Sequence, residues 1–167
     1  DRVDVKAAAK KGIVVTNTPE VNSEAVAELA FGLMLCVARR IPALDGKVKS
    51  GEWPRMTGIE LYKKTLGLIG LGAIGKRVAM RAKGFSMDIL AYDPYIDRTF
   101  ARDKGIKEAT FEELIGNSDF ISLHLPLNES TRNIIDEKAI EKMKQGAVII
   151  NTSRGGLIDE KAAYRAL

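Results

Sequence analysis

The chain has 167 residues, of which 46% are hydrophobic and 29% charged, and its net charge is +4. This length and balance suit one globular domain with a real core. No apolar run reaches the roughly 20 residues of a membrane helix, and no basic cluster typical of nucleic-acid binding occurs, so neither a membrane nor a nucleic acid is an expected partner. The single cysteine, Cys36, excludes an internal disulfide. With no signal-peptide pattern at the start, a reducing cytoplasm is the expected setting.

The segment 1–19 predicts a short helix and a strand. Residues 1–11 carry a helical apolar side, and Gly12 ends it. The β-branched run 13–16 then predicts a strand, whose pairing within the chain stays open. Pro19 restricts the residue before it, so residues 17–19 are a candidate hinge.

A long apolar helix is predicted over residues 24–41, with Asn22 or Ser23 as its cap. Its apolar residues cover more than one face, which fits either a core helix or a helix shared with a second subunit. A further helical turn runs from Pro42 to Ser50. The irregular arm 51–58 follows and carries Trp53, which either packs against its own domain or anchors an interface.

The organising stretch of the chain is a strand, a glycine turn, a helix, a second strand and an acid. The apolar run 66–71 predicts a buried strand, and a helical pattern opens directly after it. A second apolar run, 87–91, ends near Asp93. The turn between the first strand and the helix has the G-x-G-x-x-G spacing, formed by Gly70, Gly72 and Gly75.

Each glycine of this turn has a physical reason in a dinucleotide site. Gly70 permits a tight turn out of the strand, Gly72 lets a pyrophosphate approach the backbone, and Gly75 lets the helix pack closely. The N–H groups of Ala73 and Ile74 then point toward the phosphates, where the helix dipole favours negative charge. A chance glycine cluster in a βα turn is the alternative, which the strand, helix and acid in register disfavour.

Asp93 selects the cofactor in this interpretation. It follows Gly75 at close to the spacing that a dinucleotide fold places between its last glycine and its acid, and its carboxylate can accept both ribose hydroxyls of an adenosine. The same charge repels a 2′-phosphate, so the sequence predicts NAD rather than NADP. Arg98, a little later in the chain, is the nearby residue that works against this preference.

The remainder of the chain continues to alternate helices and strands, which predicts an α/β fold with a Rossmann-like, doubly wound parallel sheet. Ligands of such sheets lie beyond the carboxyl ends of the strands. The chemistry is therefore expected in the loops 70–75, 92–95, 124–127 and 151–156. The predicted elements are a helix at 111–116, a strand at 119–124, a helix at 136–143, a strand at 147–150 and a helix from 159.

Several longer motifs occur in order along the chain: 12–19 (GIVVTNTP), 22–28 (NSEAVAE), 51–53 (GEW), 67–75 (GLIGLGAIG), 92–94 (YDP), 124–127 (HLPL) and 151–160 (NTSRGGLIDE). On these residues, which span nearly the whole chain, it resembles the D-2-hydroxyacid dehydrogenases. Members of that family reduce a 2-keto acid, or oxidise a D-2-hydroxy acid, by hydride transfer with NAD. The resemblance thus implies NAD as cofactor and a small 2-hydroxy or 2-keto acid as substrate.

The resemblance also implies roles for individual residues. Arg154 matches the arginine that grips the substrate carboxylate and polarises the keto group, for which a guanidinium is suited. Sequence physics alone leaves a surface arginine equally open. The adenosine diphosphate half would be held by Ala73, Ile74 and Asp93, and the nicotinamide side by His124, Leu125, Pro126, Thr152 and Ser153.

Two departures from the family pattern are visible. Many relatives carry arginine where this chain has Ala73. The family's catalytic histidine and glutamate follow the position of Arg154, whereas the only histidine here, His124, matches the cofactor loop and is interpreted as structural.

The resemblance therefore implies two parts in this chain. Residues 1–19 would be a remnant of the substrate domain, its last helix and strand. Residues 20–167 would be an NAD-binding domain truncated before its final strands. Such a fragment is expected to bind NAD weakly if at all, without turnover.

Two other classes of function stay open. One is a non-catalytic NAD-sensing module that dimerises and recruits partners. The other is an engineered structural fragment, which a search for ligand-linked stabilisation would distinguish. A homodimer is expected from the apolar helix 24–41 and the Trp53 arm, because this domain forms the dimer interface in the family.

Overall fold

A five-stranded, all-parallel sheet lies at the centre of the computed structural model, which describes residues 3–167. The strands are β1 (Thr65–Ile69), β2 (Asp88–Tyr92), β3 (Lys107–Glu108), β4 (Phe120–Leu123) and β5 (Val148–Asn151). Their spatial order in the sheet is β3-β2-β1-β4-β5. The order reverses between β1 and β4, where doubly wound sheets bind their ligands. This arrangement confirms the predicted Rossmann-like fold.

Helices cover both faces of the sheet. They are α1 (Val5–Lys10), α2 (Ser23–Ala38), α3 (Ile41–Lys49), α4 (Ala73–Gly84), α5 (Arg98–Asp103), α6 (Phe111–Asn117), α7 (Glu137–Glu141) and α8 (Glu160–Ala166).

Two apolar cores hold the layers together, one on each face of the sheet. On one face, Leu66 and Leu68 of β1 share a core with α2 and α4, whose buried residues include Met34 and Val78. On the other face, Ile69 packs with residues of α6, β4 and the loops beside β5. Since β1 is covered on both faces, its sequence is a nearly continuous apolar run.

Local polar contacts fix where the helices begin and how two of them pair. Thr110 and Glu113 form a reciprocal capping box at the start of α6, and the backbone N–H of Thr110 lowers the pKa of the Glu113 carboxyl.

Glu24 of α2 accepts hydrogen bonds from Arg77 at 2.7 Å and Arg81 at 2.8 Å, both on α4. The helices α2 and α4 are therefore linked by charge as well as by apolar packing.

The structure corrects the sequence-based prediction at the N-terminal end. Residues 13–16, predicted as a strand, have no regular secondary structure, and Val14 is 86% exposed. Within residues 3–167 no neighbouring strand supplies the hydrogen-bonding edge that a strand here would need. The predicted first helix is shorter, Val5–Lys10, and its first two predicted residues lie outside those described.

Helix α2 also ends earlier than predicted. It ends at Ala38 rather than near 41, since Arg40 adopts a left-handed conformation with φ 54°. The chain then starts α3, as Pro42 predicted.

The arm 51–58 has no regular structure, and Trp53 is 86% exposed. Packing of this side chain against its own domain, one of the two alternatives, is therefore wrong. In the stretch 3–167 no helix is both long and apolar enough to cross a membrane.

Candidate functional site

The glycine turn between β1 and α4 fits tightly against its neighbours on two sides. Gly70 has φ +99°, and a Cβ there would overlap the carbonyl oxygen of His124. A Cβ on Gly75 would overlap the carbonyl oxygen of Gly70, so the helix packs directly on the turn. Both residues therefore meet the steric conditions that the sequence motif predicts.

Gly72 faces open space instead. An added Cβ would meet no described atom within 4 Å, and its φ of −75° suits any residue. Neither backbone conformation nor protein contact therefore demands glycine here. The open side leaves room for a ligand to approach the backbone.

Helix α4 presents an unfilled N-terminus to this open side. Gly72 is its N-cap, and none of the described side chains caps it. The first N–H groups of a helix have no intrahelical acceptor, so those of Ala73 and Ile74 can donate to an anion. Because α4 has 12 residues, its dipole also favours negative charge at this end. The chain thus offers the groups that a pyrophosphate requires.

Asp93 lies beside the glycine turn at the carboxyl end of β2. One carboxylate oxygen accepts the backbone N–H of Leu71 at 2.8 Å, and the other accepts that of Tyr95 at 2.8 Å. A carboxylate has about four lone-pair positions, so each oxygen keeps capacity for a further donor. The geometry therefore allows two hydroxyl groups to bind while the carboxylate holds the turn.

Asp93 borders an open groove of about 710 Å³ at the ends of β2 and β3. Three further carboxylates line the groove, Glu108, Glu112 and Glu113. Arg98 donates to both oxygens of Glu108, at 3.0 and 3.1 Å. This pairing raises the pKa of Arg98 and lowers that of Glu108. Arg98, the residue expected from the sequence to weaken the preference for NAD over NADP, is thus paired with a carboxylate that lines the groove.

His124 follows β4, and its ring lies beside the turn. Its Nε2 is 2.9 Å from the hydroxyl of Ser122, a contact that sequence reasoning missed, although the two residues share one face at i, i+2. Burial lowers the pKa of His124 to about 4, so the ring is neutral at pH 7. Its Nδ1 is buried and has no hydrogen-bond partner within residues 3–167. The structural role expected for His124 stays a prediction.

The loop after His124 is held partly by the core and partly by hydrogen bonds. Leu125 is half-buried and packs on the second core, next to Gly70. Pro126 is exposed, and its carbonyl oxygen accepts the hydroxyl of Thr131 at 2.7 Å. The proximity of Leu125 to Gly70 places the start of this loop against the glycine turn.

The loop after β5 is organised by Asn151, which sequence reasoning did not single out. Its side chain accepts the N–H of Ser153 at 2.9 Å and donates to the carbonyl oxygen of Arg154 at 2.8 Å. An asparagine that bonds the backbone two residues later is the Asx-turn pattern, a signal present in the sequence. Ser153 also donates to the carbonyl oxygen of Leu123 at 2.7 Å, which joins the loop to β4.

Thr152 and Arg154 lie on the same loop. The Thr152 hydroxyl is buried and has no hydrogen-bond partner in the described chain. Arg154 is exposed and donates to the carbonyl oxygen of Ser153 at 3.0 Å. The Thr152 hydroxyl is therefore a polar group that can form a hydrogen bond with a bound ligand.

The candidate residues therefore follow the carboxyl edge of four adjacent strands. Leu71 bonds Asp93, Gly70 abuts His124, and Ser153 bonds Leu123, so contacts join the loops in pairs. Over residues 3–167 no group of three histidine, cysteine or acidic residues is placed to hold a metal ion. The arrangement presents helix N–H donors, a fixed carboxylate and an arginine at one edge, which suits a phosphate-bearing organic cofactor.

Comparisons with known proteins agree with this chemistry. Residues 31–167 match the family model described as D-isomer specific 2-hydroxyacid dehydrogenase, NAD binding domain. The whole chain is 52% identical to the D-3-phosphoglycerate dehydrogenase of Methanocaldococcus jannaschii, of which it covers 32%. The chain thus spans about a third of the length of that relative.

Solved structures show the same likeness. The apo-structure of D-lactate dehydrogenase from Escherichia coli superposes with a TM-score of 0.95 at 40% identity, covering 100% of this chain and 53% of that one. D-Lactate dehydrogenase from Aquifex aeolicus, complexed with NAD and lactic acid, superposes with a TM-score of 0.89 at 38% identity, covering 99% and 50%. The resemblance drawn from the sequence motifs is confirmed.

Proposed function

We propose that this chain, which belongs to the D-isomer specific 2-hydroxyacid dehydrogenases as an NAD-binding domain of that family, supplies the cofactor half of a dehydrogenase that acts on a D-2-hydroxy acid of the 3-phosphoglycerate type. The observation that carries the proposal is the hydrogen bond between Leu71 and Asp93 at 2.8 Å, which fixes the acid against the glycine turn. The 52% identity to a D-3-phosphoglycerate dehydrogenase supports the substrate class.

The adenosine diphosphate half of NAD would lie on the glycine turn. Ala73 and Ile74 donate their N–H groups to the pyrophosphate, and Gly72 leaves the space for it. Asp93 accepts the two ribose hydroxyls on the lone pairs that Leu71 and Tyr95 leave available. Alanine at position 73 makes the phosphate contact a backbone one.

The nicotinamide side would lie along the loops after β4 and β5. When bound, NAD supplies the acceptor or donor of the hydride. His124, Leu125 and Pro126 border that side, and Thr152 offers a hydroxyl with hydrogen-bonding capacity. Ser153 fastens the second loop to β4. Arg154 follows on the same loop, where its guanidinium can meet a substrate carboxylate with two parallel hydrogen bonds.

The 167 residues by themselves are proposed to bind NAD without turning over substrate. General acid–base transfer needs a group that exchanges a proton near the working pH. The one histidine, His124, has a pKa lowered to about 4 by burial and contacts the hydroxyl of Ser122. It is therefore unprotonated at pH 7 and unsuited to donate a proton to a keto acid. Loss of a catalytic acid–base costs about 10²–10⁴ in rate.

Domain organisation is part of this proposal. Residues 1–19 are assigned to a substrate domain, and residues 20–167 to the cofactor domain. The exposure of Val14 and of the rest of the run 13–16 supports this division, because a β-branched run belongs in a sheet.

A homodimer is proposed from an exposed apolar stripe on α2. Leu29 and Val37 are more than half exposed, and with Leu33 they recur at i, i+4 and i+8 on one side of the helix. Trp53 on the arm 51–58 adds a large exposed ring. Sedimentation equilibrium should give a dimer mass for the wild type and a monomer for Leu33→Lys. Met80→Lys on α4 is the control, and a monomeric wild type contradicts the proposal.

Calorimetric titration with NAD tests the binding site. Wild-type chain should bind NAD with micromolar to low-millimolar affinity, and Asp93→Asn should weaken binding about tenfold, since a charge-assisted bond to a hydroxyl contributes roughly 1.5–3 kcal/mol. Asp88→Asn, at the opposite end of β2, is the matched control and should bind like wild type. Equal affinities in all three proteins would overturn the ribose assignment. Reduction of a keto acid by NADH with the chain alone would overturn the proposed lack of turnover.

A further inference from the structure

Glu108 lies next to the proposed ribose site although it is distant from Asp93 in sequence. It is the last residue of β3, and the parallel register pairs it with Ala91, two residues before Asp93 in the chain. Both carboxylates line the same groove of about 710 Å³. The sheet thus brings two acidic side chains to one end of neighbouring strands.

Arg98 connects the two positions. It begins α5, shortly after Asp93, and its Nε and Nη2 donate to the two oxygens of Glu108 at 3.0 and 3.1 Å. This is the parallel, two-bond geometry in which a guanidinium also binds a phosphate. Glu108 therefore engages two donors of the Arg98 guanidinium that would otherwise be able to bind a phosphate.

We propose that Glu108 determines cofactor specificity by holding Arg98 in this pair, which keeps the guanidinium from the 2′-phosphate of NADP. The inference rests on the proposed function, because it takes the ribose to bind at Asp93. Asp93 and Glu108 then act differently on the same choice. Asp93 repels the 2′-phosphate directly, whereas Glu108 pairs with Arg98, the cation that would otherwise attract the phosphate.

Because the Arg98–Glu108 pair is exposed, its two residues can be substituted to test the proposal. The side chain of Arg98 is 79% exposed and that of Glu108 is 48% exposed. Exposed pairs add little to stability, so breaking this one should leave the fold intact. Within residues 3–167, Glu108 is the one carboxylate that Arg98 pairs with. A released Arg98 is charged at any working pH, so its effect should appear in cofactor choice.

The test compares dissociation constants for NADH and NADPH, measured by fluorescence titration of the full chain. The ratio of the NADPH constant to the NADH constant should fall about fivefold in Glu108→Gln, the upper range for an exposed ion pair. Glu112→Gln removes the same charge from the same groove and should change the ratio less than about twofold. Adding Arg98→Met to Glu108→Gln should return the ratio to the wild-type value.

Three outcomes would overturn the inference. In the first, Glu108→Gln and Glu112→Gln lower the ratio equally, so that only the groove charge matters. In the second, the fall persists in the double variant, so that Arg98 plays no part. In the third, NADH binds normally and the ratio does not move. A wild-type chain that binds neither cofactor instead overturns the proposed function, and this inference with it.

Discussion

The backbone N–H of Leu71 donates a 2.8 Å hydrogen bond to the carboxylate of Asp93, which joins the glycine turn to the loop after β2. The second carboxylate oxygen accepts the N–H of Tyr95 at 2.8 Å. Asp93 is therefore part of the turn's architecture before any ligand arrives. An acid that is already oriented by the backbone needs no rearrangement to accept hydroxyl groups.

Asp93→Asn should destabilise the fold as well as weaken NAD binding. The amide has one accepting oxygen, so one of the two backbone N–H groups loses its acceptor and the other loses a charged one. We expect the free energy of unfolding to fall by about 1–3 kcal/mol, measured by urea denaturation. Asp88→Asn, exposed at the start of β2, should stay within about 0.5 kcal/mol of wild type. Equal losses in the two variants would contradict the structural role of Asp93.

The glycines of the turn should separate stability from binding. Gly75→Ala places a methyl group against the carbonyl oxygen of Gly70 and should lower the free energy of unfolding by about 1–3 kcal/mol. Gly72→Ala meets open space and, as a change at the N-cap of α4, should cost at most about 1 kcal/mol of stability while it weakens NAD binding. Thermal unfolding and calorimetric titration measure the two effects. A Gly72→Ala variant that binds NAD normally would mean that the pyrophosphate does not pass this position.

Gly84→Ala is the matched helix control. This residue lies at the end of α4, its added Cβ meets no described atom within 4 Å, and its φ is not positive. Alanine should therefore stabilise by up to about 1 kcal/mol through the unfolded state. A loss of stability in Gly84→Ala would show that the helix itself, rather than its packing on the turn, resists substitution.

The strand-turn-helix-strand unit could be predicted because its signals are local. Apolar runs, glycine spacing and a helical pattern specify β1, α4 and β2 within one continuous stretch of the chain. The same holds for the acid, whose place at the end of β2 follows from strand length. Its bond to Leu71 follows from strand pairing and could not be read from the motif.

The sequence-based prediction missed or misassigned elements that depend on contacts with neighbouring segments. The polar pair Lys107–Glu108 forms a strand because β2 offers it an edge, and nothing in two polar residues indicates that. Conversely, the run 13–16 has strong strand propensity and no edge to join within the described chain. Helix α5 follows Asp97, a usable cap, but its six residues carry too little apolar pattern to detect.

Asn151→Ala should loosen the loop that carries Arg154. The substitution removes the acceptor of the Ser153 N–H and the donor to the Arg154 carbonyl oxygen. We expect a loss of about 1–2 kcal/mol in the free energy of unfolding, measured by urea denaturation. Asn151→Asp keeps the acceptor but places a carboxylate oxygen against the Arg154 carbonyl oxygen, so it should also be less stable than wild type. An Asn151→Ala variant as stable as wild type would show that the bond from Ser153 to Leu123 holds the loop alone.

His124 should make the stability of the chain depend on pH between about 4 and 6.5. Burial lowers the pKa of the folded ring from 6.5 to about 4. Between these values the unfolded chain binds more protons than the folded one, so the free energy of unfolding rises with pH across this window. The full stability is present above pH 6.5, and about 3 kcal/mol is lost as the pH falls to 4.

Urea denaturation at several pH values between about 5 and 7 isolates this histidine. Hydrogen bonds lower the pKa of carboxyl groups such as Glu24 and Glu113 from the ordinary value of 4.5. These groups therefore lose their contribution to the free energy of unfolding only at a pH below this range. His124→Asn removes the titrating ring, and its stability should therefore be flat across the range, whatever its absolute value. The slope rather than the midpoint is the readout, because losing the Ser122 contact shifts the midpoint by itself. A slope that persists in His124→Asn would assign the pH dependence to other groups and contradict the buried, neutral ring.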